Sequence, residues 1–191
     1  MYRYWLLTWR TYGTWLPGDP RGFVSEIRDD AREKILHNTP GTSCDADLPA
    51  LQSYAASIMT EDAVLLDLPQ AEAVAAQMRE TARHRGWQIL ALAIMANHVH
   101  VVVGVPGDPD SEKLLIDFKA YATRRLNAGW GRREHWWTQS GSRRKKSTSD
   151  AIRDAVIYVK DQPNALVVWL APGVPEALAR WEANGAASAG R

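Results

Sequence analysis

Two histidines, His98 and His100, stand two positions apart in the run MANHVHVVVG, residues 95–104. A run so rich in valine is typical of a buried β-strand. Side chains at positions i and i+2 of a strand point to the same face of the sheet, so we expect the two imidazoles to lie side by side. Two neutral imidazoles can hold one divalent metal ion. The pattern is short, and one histidine in the core with one at the surface would also satisfy it.

The segment YVKDQ, residues 158–162, contains a candidate nucleophile, Tyr158, and a candidate third metal ligand, Gln162. We predict a helix over residues 150–162 that is ended by Pro163. Tyr158 and Gln162 are four residues apart, which places them one turn apart on the same helical face. The apolar stripe of this helix puts Tyr158 at the edge of its buried side. Simpler roles remain open for both: a packed tyrosine with its hydroxyl in water, and a glutamine that caps the helix end.

The elements that must position these residues follow from hydrophobic periodicity and turn residues. Strands are predicted over YRYWLLTWRT, WQILALAIM, HVHVVVGV and NALVVWL, with a short strand and basic loop in REHWWTQSGSRRKKS. Helices are predicted over PQAEAVAAQMRETARHRG, SEKLLIDFKAYATRRLNAG (N-cap Ser111, end at Gly129) and STSDAIRDAVIYVKDQ. This order predicts an α+β fold with a ferredoxin-like antiparallel sheet and helices packed on it. We predict one domain over residues 1–170 with an insertion near 29–70, and a C-terminal helix and tail over 171–191.

The net charge of the 191 residues is only +1, but the charges are unevenly placed. Between Glu26 and Glu80, eleven acidic residues occur with four basic ones. Between Lys119 and Lys146, nine basic residues occur with one acidic residue, Glu134. Clustered cations displace counterions from phosphates, so this basic stretch is a candidate polyanion-binding surface. An ordinary solvated surface is the alternative.

The single cysteine, Cys44, excludes an internal disulfide and a zinc site built from several cysteines. This fits a reducing compartment, and we expect a cytoplasmic location. The apolar runs are too short to cross a membrane. The N-terminal stretch MYRYWLLTWR lacks the cleavage site of a signal peptide. We therefore expect no membrane partner.

Four motifs occur along the chain in a set order: TYGTWLPGD, NHVHVVV, WWTQSGSRRK and YVKDQ. The ordered set resembles the HUH single-tyrosine transposases, in particular the REP-associated tyrosine transposases and their insertion-sequence relatives. The resemblance spans Tyr2 to Trp169 and is weakest between residues 29 and 70. It implies the HUH endonuclease fold.

The resemblance also implies an activity, a metal and a set of site residues. The activity is DNA transposition, in which single-stranded DNA, with or without a hairpin, is cleaved and rejoined through a covalent 5′-phosphotyrosine. Carried over by position, His98, His100 and Gln162 would be the metal ligands, and Tyr158 would be the nucleophile. The implied metal is Mg²⁺ or Mn²⁺, and the implied assembly is a monomer or a homodimer.

The rest of such a DNA site would be basic and aromatic, because cations hold phosphates and indoles stack on unpaired bases. Trp136 and Trp137 are adjacent, so on a strand only one of them faces the core. The residues expected to contact DNA are Arg10, Arg21, Lys119, Arg124, Arg125, Trp137, Arg143, Arg144, Lys145 and Lys146.

Three alternatives stay open. Tyr121 is a second candidate nucleophile, although Arg125 rather than a metal ligand follows it by one helical turn. A zinc-bound water held by His98, His100 and His135 would make the chain a metallohydrolase. A dormant or domesticated DNA-binding protein would keep the fold without the catalysis.

Overall fold

The computed structural model describes residues 1–20, 26–28, 34–36 and 49–189. Arg21 and much of the predicted insertion at residues 29–70 lie outside the described residues. Contacts along the chain divide it into two units, one formed by Met1–Thr11 with Leu65–Arg191 and the other by Tyr12–Val64. The predicted boundaries of the insertion and of the C-terminal tail stay predictions.

The secondary structure comprises β-strands and α-helices in mixed order along the chain. The strands are β1 (Tyr2–Arg10), β2 (Glu26–Arg28), β3 (Lys34–Leu36), β4 (Gln88–Ile94), β5 (His98–Pro106), β6 (Ser142–Lys146) and β7 (Val167–Leu170). The helices are α1 (Pro49–Ser57), α2 (Leu68–Arg85), α3 (Ser111–Trp130), α4 (Ser149–Lys160) and α5 (Val174–Ala189).

The first unit is built on a five-stranded sheet in the order β6-β1-β5-β4-β7. Every neighbouring pair in it is antiparallel. The tight connection between β4 and β5 is closed by a hydrogen bond of 2.9 Å from the Met95 N–H to the His98 carbonyl. The predicted α+β fold, an antiparallel sheet with helices packed on it, is confirmed, and the histidine strand lies at the centre of the sheet.

The two faces of this sheet are covered differently. On the valine face, Val99 and Val101 are fully buried beneath α2 and α3, where Phe118 stacks on Trp9. On the opposite side, which we name the histidine face because it carries His98 and His100, α4 packs over β4 and β5. The core on that side joins sheet residues to apolar residues of α4 and α5, namely Leu6, Ala91, Ala93, Met95, Val102, Ala155, Val156, Val159 and Leu178. Alternation along β5 therefore separates the valine core from the histidine pair.

The helix ends correct several sequence-based boundaries. Helix α3 takes its N-cap from Asp110, whose carboxylate accepts the Glu112 N–H, rather than from Ser111. Its C-cap is Gly131, two residues beyond the expected Gly129. The helical residues begin at Ser111, and the N-cap is the residue that directly precedes them, so this role falls to Asp110.

The second unit contains the β2–β3 hairpin and helix α1. Tyr12 organises its described part: the carbonyl accepts the Val64 N–H at 2.8 Å, and the hydroxyl accepts the Thr60 N–H at 3.2 Å. In neither unit do the described residues form a helix that is both long and apolar enough to span a bilayer.

Candidate active site

The imidazoles of His98 and His100 lie together on the histidine face. Their ring centroids are 4.8 Å apart and the rings are nearly perpendicular, at 87°. His100 is buried, with 5% of its surface exposed. The expectation that the i, i+2 spacing brings both rings to one site is confirmed.

Each ring is held at its Nδ1 atom by a neighbouring polar side chain. His98 Nδ1 lies 2.6 Å from the Asn97 amide oxygen, and His100 Nδ1 lies 2.6 Å from the Thr8 hydroxyl oxygen. An amide oxygen only accepts, so His98 donates through Nδ1–H and its Nε2 carries the lone pair. Thr8 is opposite His100 in the β1–β5 ladder. This arrangement leaves the Nε2 atoms of both rings for a ligand, as is usual for histidines that bind metal.

Both imidazoles are electrically neutral near pH 7. Burial, together with a smaller contribution from the positive charge of Arg10, lowers the pKa of His98 from 6.5 to about 4. Burial also lowers the pKa of His100 to about 4, with smaller contributions from His98 and Arg10. The neutral ring is the form that coordinates a metal ion, so both rings have the protonation state that metal binding would require at physiological pH.

Helix α4 brings Tyr158 to the same place. Its hydroxyl oxygen is 3.4 Å from His100 Nε2, and the two rings meet edge to face with centroids 5.1 Å apart. Tyr158 is 49% exposed, whereas Val156 and Val159 on the same helix are buried. The tyrosine therefore lies at the edge of the buried side, as predicted, with its hydroxyl next to the open nitrogen of His100.

Gln162 does not lie on the helix that carries Tyr158. Helix α4 ends at Lys160 with Asp161 as its C-cap, so the predicted extension to Gln162 is wrong. The Gln162 side-chain N–H donates to the Tyr158 carbonyl at 2.9 Å. That carbonyl lies in the last turn, where no later helical N–H is available, and the amide satisfies it. Gln162 therefore caps the helix end through its side-chain N–H. Its Oε1 atom is the one that could still bind a metal ion.

The described residues do not form the zinc site that His98, His100 and His135 would have to make together. Across residues 1–20, 26–28, 34–36 and 49–189, no group of three or more His, Cys, Asp or Glu side chains could hold a metal ion. His135 lies beside Glu134, with 3.9 Å between Nε2 and the carboxylate oxygen.

The competing nucleophile, Tyr121, lies on the other side of the sheet. It belongs to α3, the helix whose Phe118 packs against Trp9 on the valine face. Its ring lies under the Arg124 guanidinium, 4.9 Å from the carbon to the ring centroid. The sheet therefore separates Tyr121 from the two histidines.

Two residues expected to contact DNA are part of the protein interior instead. Trp137 is 8% exposed and donates its indole N–H to the Thr123 hydroxyl at 3.1 Å. Trp136 is also buried, since the segment is not a regular strand and both indoles turn inward. Lys119 is 9% exposed and directs its ammonium at main-chain carbonyls, at 2.8 Å, 3.2 Å and 2.8 Å from those of Thr138, Gln139 and Ser140.

The other expected DNA contacts divide between the two sides of the sheet. Arg10 is opposite His98 in the β1–β5 ladder and lies on the histidine face. Arg124 and Arg125 are exposed on α3, on the valine side. Arg143 to Lys146 belong to β6, the edge strand beside β1.

The useful residues that sequence reasoning missed are Thr8 and Asn97. Asn97 could have been suspected, because it directly precedes the histidine pair in NHVH. Thr8 has no local signal, since it is 92 residues from His100 and meets it only through the strand register.

Residues 58–162, more than half of the chain, match the family model described as IS200-like transposase. Among solved structures, the chain is similar to a REP-associated tyrosine transposase bound to a REP hairpin, at 13% identity and a TM-score of 0.47, over 85% of this chain and 75% of that one. It is also similar to a putative transposase from Deinococcus radiodurans R1, at 15% identity and a TM-score of 0.44, over 83% and 88% of the two chains. A search of curated proteins found no match.

Proposed function

The chain belongs to the IS200-like transposase family, and on this premise we propose that it cleaves and rejoins single-stranded DNA with Tyr158 as its nucleophile and with His98 and His100 as ligands of a divalent metal ion. The observation that carries the proposal is the approach of the Tyr158 hydroxyl to 3.4 Å from His100 Nε2. The half-exposed Tyr158 ring meets the His100 ring there, and the centroid of the His98 ring lies 4.8 Å from that of His100.

In the proposed cleavage step, the Tyr158 oxygen attacks the phosphorus of a phosphodiester. A phosphorus–oxygen bond to tyrosine forms, and the bond to the 3′ oxygen of the upstream nucleotide breaks. The proton of the tyrosine hydroxyl is lost and the departing 3′ oxygen gains one, so the products are a 5′-phosphotyrosine and a free 3′-hydroxyl. Because the number of phosphoester bonds is unchanged, another 3′-hydroxyl can reverse the reaction and join two strands.

The side chains fit a divalent ion of intermediate softness. Two neutral imidazoles are softer ligands than Mg²⁺ prefers, and Mn²⁺ accepts them more readily. When bound, such an ion would polarise the phosphate and offset negative charge in the transition state. The chain itself supplies the orientation: Thr8 and Asn97 hold the rings at Nδ1, and α4 holds the tyrosine.

The test of the nucleophile is a pair of matched tyrosine variants. Wild-type protein, Tyr158→Phe and Tyr121→Phe are incubated with single-stranded oligonucleotides and Mn²⁺, and covalent adducts are separated on a denaturing gel. We expect the adduct in wild type and in Tyr121→Phe, and none in Tyr158→Phe, because of these two tyrosines it is Tyr158 whose hydroxyl lies at the histidine pair. Mass spectrometry then locates the nucleotide, and a nucleotide on the Tyr121 peptide would overturn the assignment.

Metal dependence is tested on the same assay. Excess EDTA and, separately, His100→Ala are expected to abolish the adduct, with Mn²⁺ restoring activity only to the EDTA-treated wild type. Full cleavage in EDTA would refute a metal-dependent site. Wild-type protein that binds the oligonucleotides but never forms an adduct would favour the dormant DNA-binding protein instead.

A further inference from the structure

Strand β6 carries four consecutive cations, Arg143 to Lys146, and its register against β1 divides them between the two faces of the sheet. Arg144 is opposite Leu6, and Lys146 is opposite Tyr4. Residues directly opposite in an antiparallel pair point to the same face. Leu6 packs on the α4 side, in the core that includes Val156. Arg144 and Lys146 therefore lie on the histidine face.

The other two cations of β6 lie on the valine side, where Lys145 has an acidic partner. Lys145 binds the Asp108 carboxylate, with 2.9 Å between Nζ and Oδ1, and its ammonium lies 5.5 Å from the centroid of the Trp5 ring. Arg143 is opposite Leu7 in the β1–β6 ladder. Burial and, to a smaller extent, the positive charge of Arg143 lower the pKa of Lys119 to about 8.

The two cations on the histidine face are differently placed. Within the part of the chain that the structure describes, neither Arg144 nor Lys146 has an ion-pair partner. Arg144 is exposed, and Ser142, two positions before it on the same face, is exposed as well. Positions two apart on a strand are separated by about 7 Å, so the two charges form a short row along the edge of the sheet.

This row leads toward the tyrosine site. Ser142 is opposite Thr8 in the β1–β6 ladder, and Thr8 is opposite His100 in the β1–β5 ladder. Helix α4 packs over β4 and β5 and holds Tyr158 above His100. Because Leu6 of β1 is buried under α4, a strand of DNA whose phosphate lies at Tyr158 would cross β1 beside Thr8 and meet β6 at the exposed Ser142.

We propose that the single-stranded DNA that reaches Tyr158 runs over the β1–β6 half of the histidine face, and that Arg144 and Lys146 bind its phosphates whereas Arg143 and Lys145 do not. The inference rests on the proposed function for the position of the scissile phosphate. Unpaired cations gain by displacing counterions from a phosphate backbone, whereas Lys145 would first have to leave Asp108.

The test compares two double variants that remove the same charge from the same strand. Arg144→Gln with Lys146→Gln is matched by Arg143→Gln with Lys145→Gln, and the affinity for a fluorescent oligothymidylate is measured by anisotropy over a range of salt concentrations. Each lost phosphate contact reduces the slope of log affinity against log salt by roughly 0.7 for a single strand. We expect a reduction of roughly 1.4 for the first pair and little change for the second. An equal loss in both pairs, or a larger loss in the second, would overturn the inference.

Two further comparisons keep the result interpretable. The single variants Arg144→Gln and Arg143→Gln repeat the contrast without disturbing the Lys145–Asp108 ion pair, in case that disturbance unfolds the second double variant. Adduct formation by wild type is scored separately. A difference in salt slope without any wild-type adduct would reject the nucleophile and retain the DNA path, whereas an adduct with equal slopes would reject the path alone.

Discussion

The chemistry of the site depends on which nitrogen of each imidazole is free. Asn97 and Thr8 occupy the Nδ1 atoms of His98 and His100, each at 2.6 Å, and Tyr158 meets His100 at Nε2. A ring fixed at one nitrogen has a defined direction for the other, and the Asn97 oxygen, which only accepts, also defines the tautomer of His98. At the scale of single residues, the two polar partners are therefore positioning residues for the proposed metal ligands.

The role of Thr8 is tested by Thr8→Val and Thr8→Ser. Valine has nearly the shape of threonine and suits a strand, but it removes the hydroxyl that holds His100 Nδ1. We expect Thr8→Val to weaken Mn²⁺ binding by about 10- to 100-fold, the usual effect of losing such a partner, while Thr8→Ser retains affinity. Isothermal titration calorimetry of the DNA-free protein measures this. Wild-type affinity in Thr8→Val would show that the hydroxyl does not orient the ring.

The lowered pKa values of His98 and His100 predict an acid-sensitive fold in the metal-free protein. The unfolded chain takes up protons near the ordinary histidine pKa of 6.5, whereas the folded rings resist protonation until about 4. The unfolded state therefore binds more protons in that window, and the free energy of unfolding falls as the pH falls from about 6.5 to about 4. Urea denaturation in EDTA measures the dependence. A double variant, His98→Asn with His100→Asn, should show a shallower fall, and an identical slope would contradict the assignment.

At the scale of elements, the start of β6 is fixed from two sides. The Lys119 ammonium on α3 binds the carbonyls of residues 138–140, at 2.8 Å, 3.2 Å and 2.8 Å. Gly141 then lies so close to β1 that a Cβ atom there would be 2.7 Å from the Thr8 carbonyl oxygen and 2.9 Å from Leu115. These contacts set the register of β6 on β1, and the register decides which cations lie on the histidine face.

Lys119→Met is the corresponding test, because methionine keeps most of the apolar stem and removes the charge. Loss of the ammonium from the three carbonyls is expected to lower the free energy of unfolding by about 1–3 kcal/mol. The salt slope of DNA binding should stay as in wild type, since a buried ammonium makes no phosphate contact. Arg124→Met on the exposed side of α3 is the control, with little expected effect on stability. A reduced salt slope in Lys119→Met would show that Lys119 does contact DNA phosphates.

At the scale of the whole molecule, one chain holds both halves of the proposed active site. Tyr158 and His100 meet within the same chain, and α5 secures the tyrosine helix. Leu178 is buried in the core with Val156, and the Arg153 guanidinium lies 3.9 Å from the centroid of the Trp181 ring. The nucleophile therefore does not require a second copy to reach the histidines.

Mixing two inactive variants tests this arrangement. His100→Ala retains the tyrosine, and Tyr158→Phe retains the histidines, so neither protein has a complete site in one chain. We expect the mixture to form no adduct, measured on the same denaturing gel. Restored adduct formation would show that copies exchange the helix that carries Tyr158.

Local periodicity determined the parts of this site that lie within single elements. The alternation of a strand places His98 and His100 on one face, and the helical repeat places Tyr158 at the edge of its buried stripe; both follow from the backbone repeat alone. The order of strands and helices likewise predicted an antiparallel α+β fold. These features need no knowledge of residues distant along the chain.

Tertiary structure decided the features that depend on partners far apart in sequence. Thr8 is a partner of His100 only because β1 and β5 pair in one register, 92 residues apart. Lys119 and Trp137 look like DNA contacts by residue type, yet carbonyls and a hydroxyl brought together by folding bind them in the interior. The cations of β6 form one basic run in the sequence, but pairing with β1 sends alternate side chains to opposite faces. Strand register is set by packing summed over the whole sheet, and no local pattern contains it.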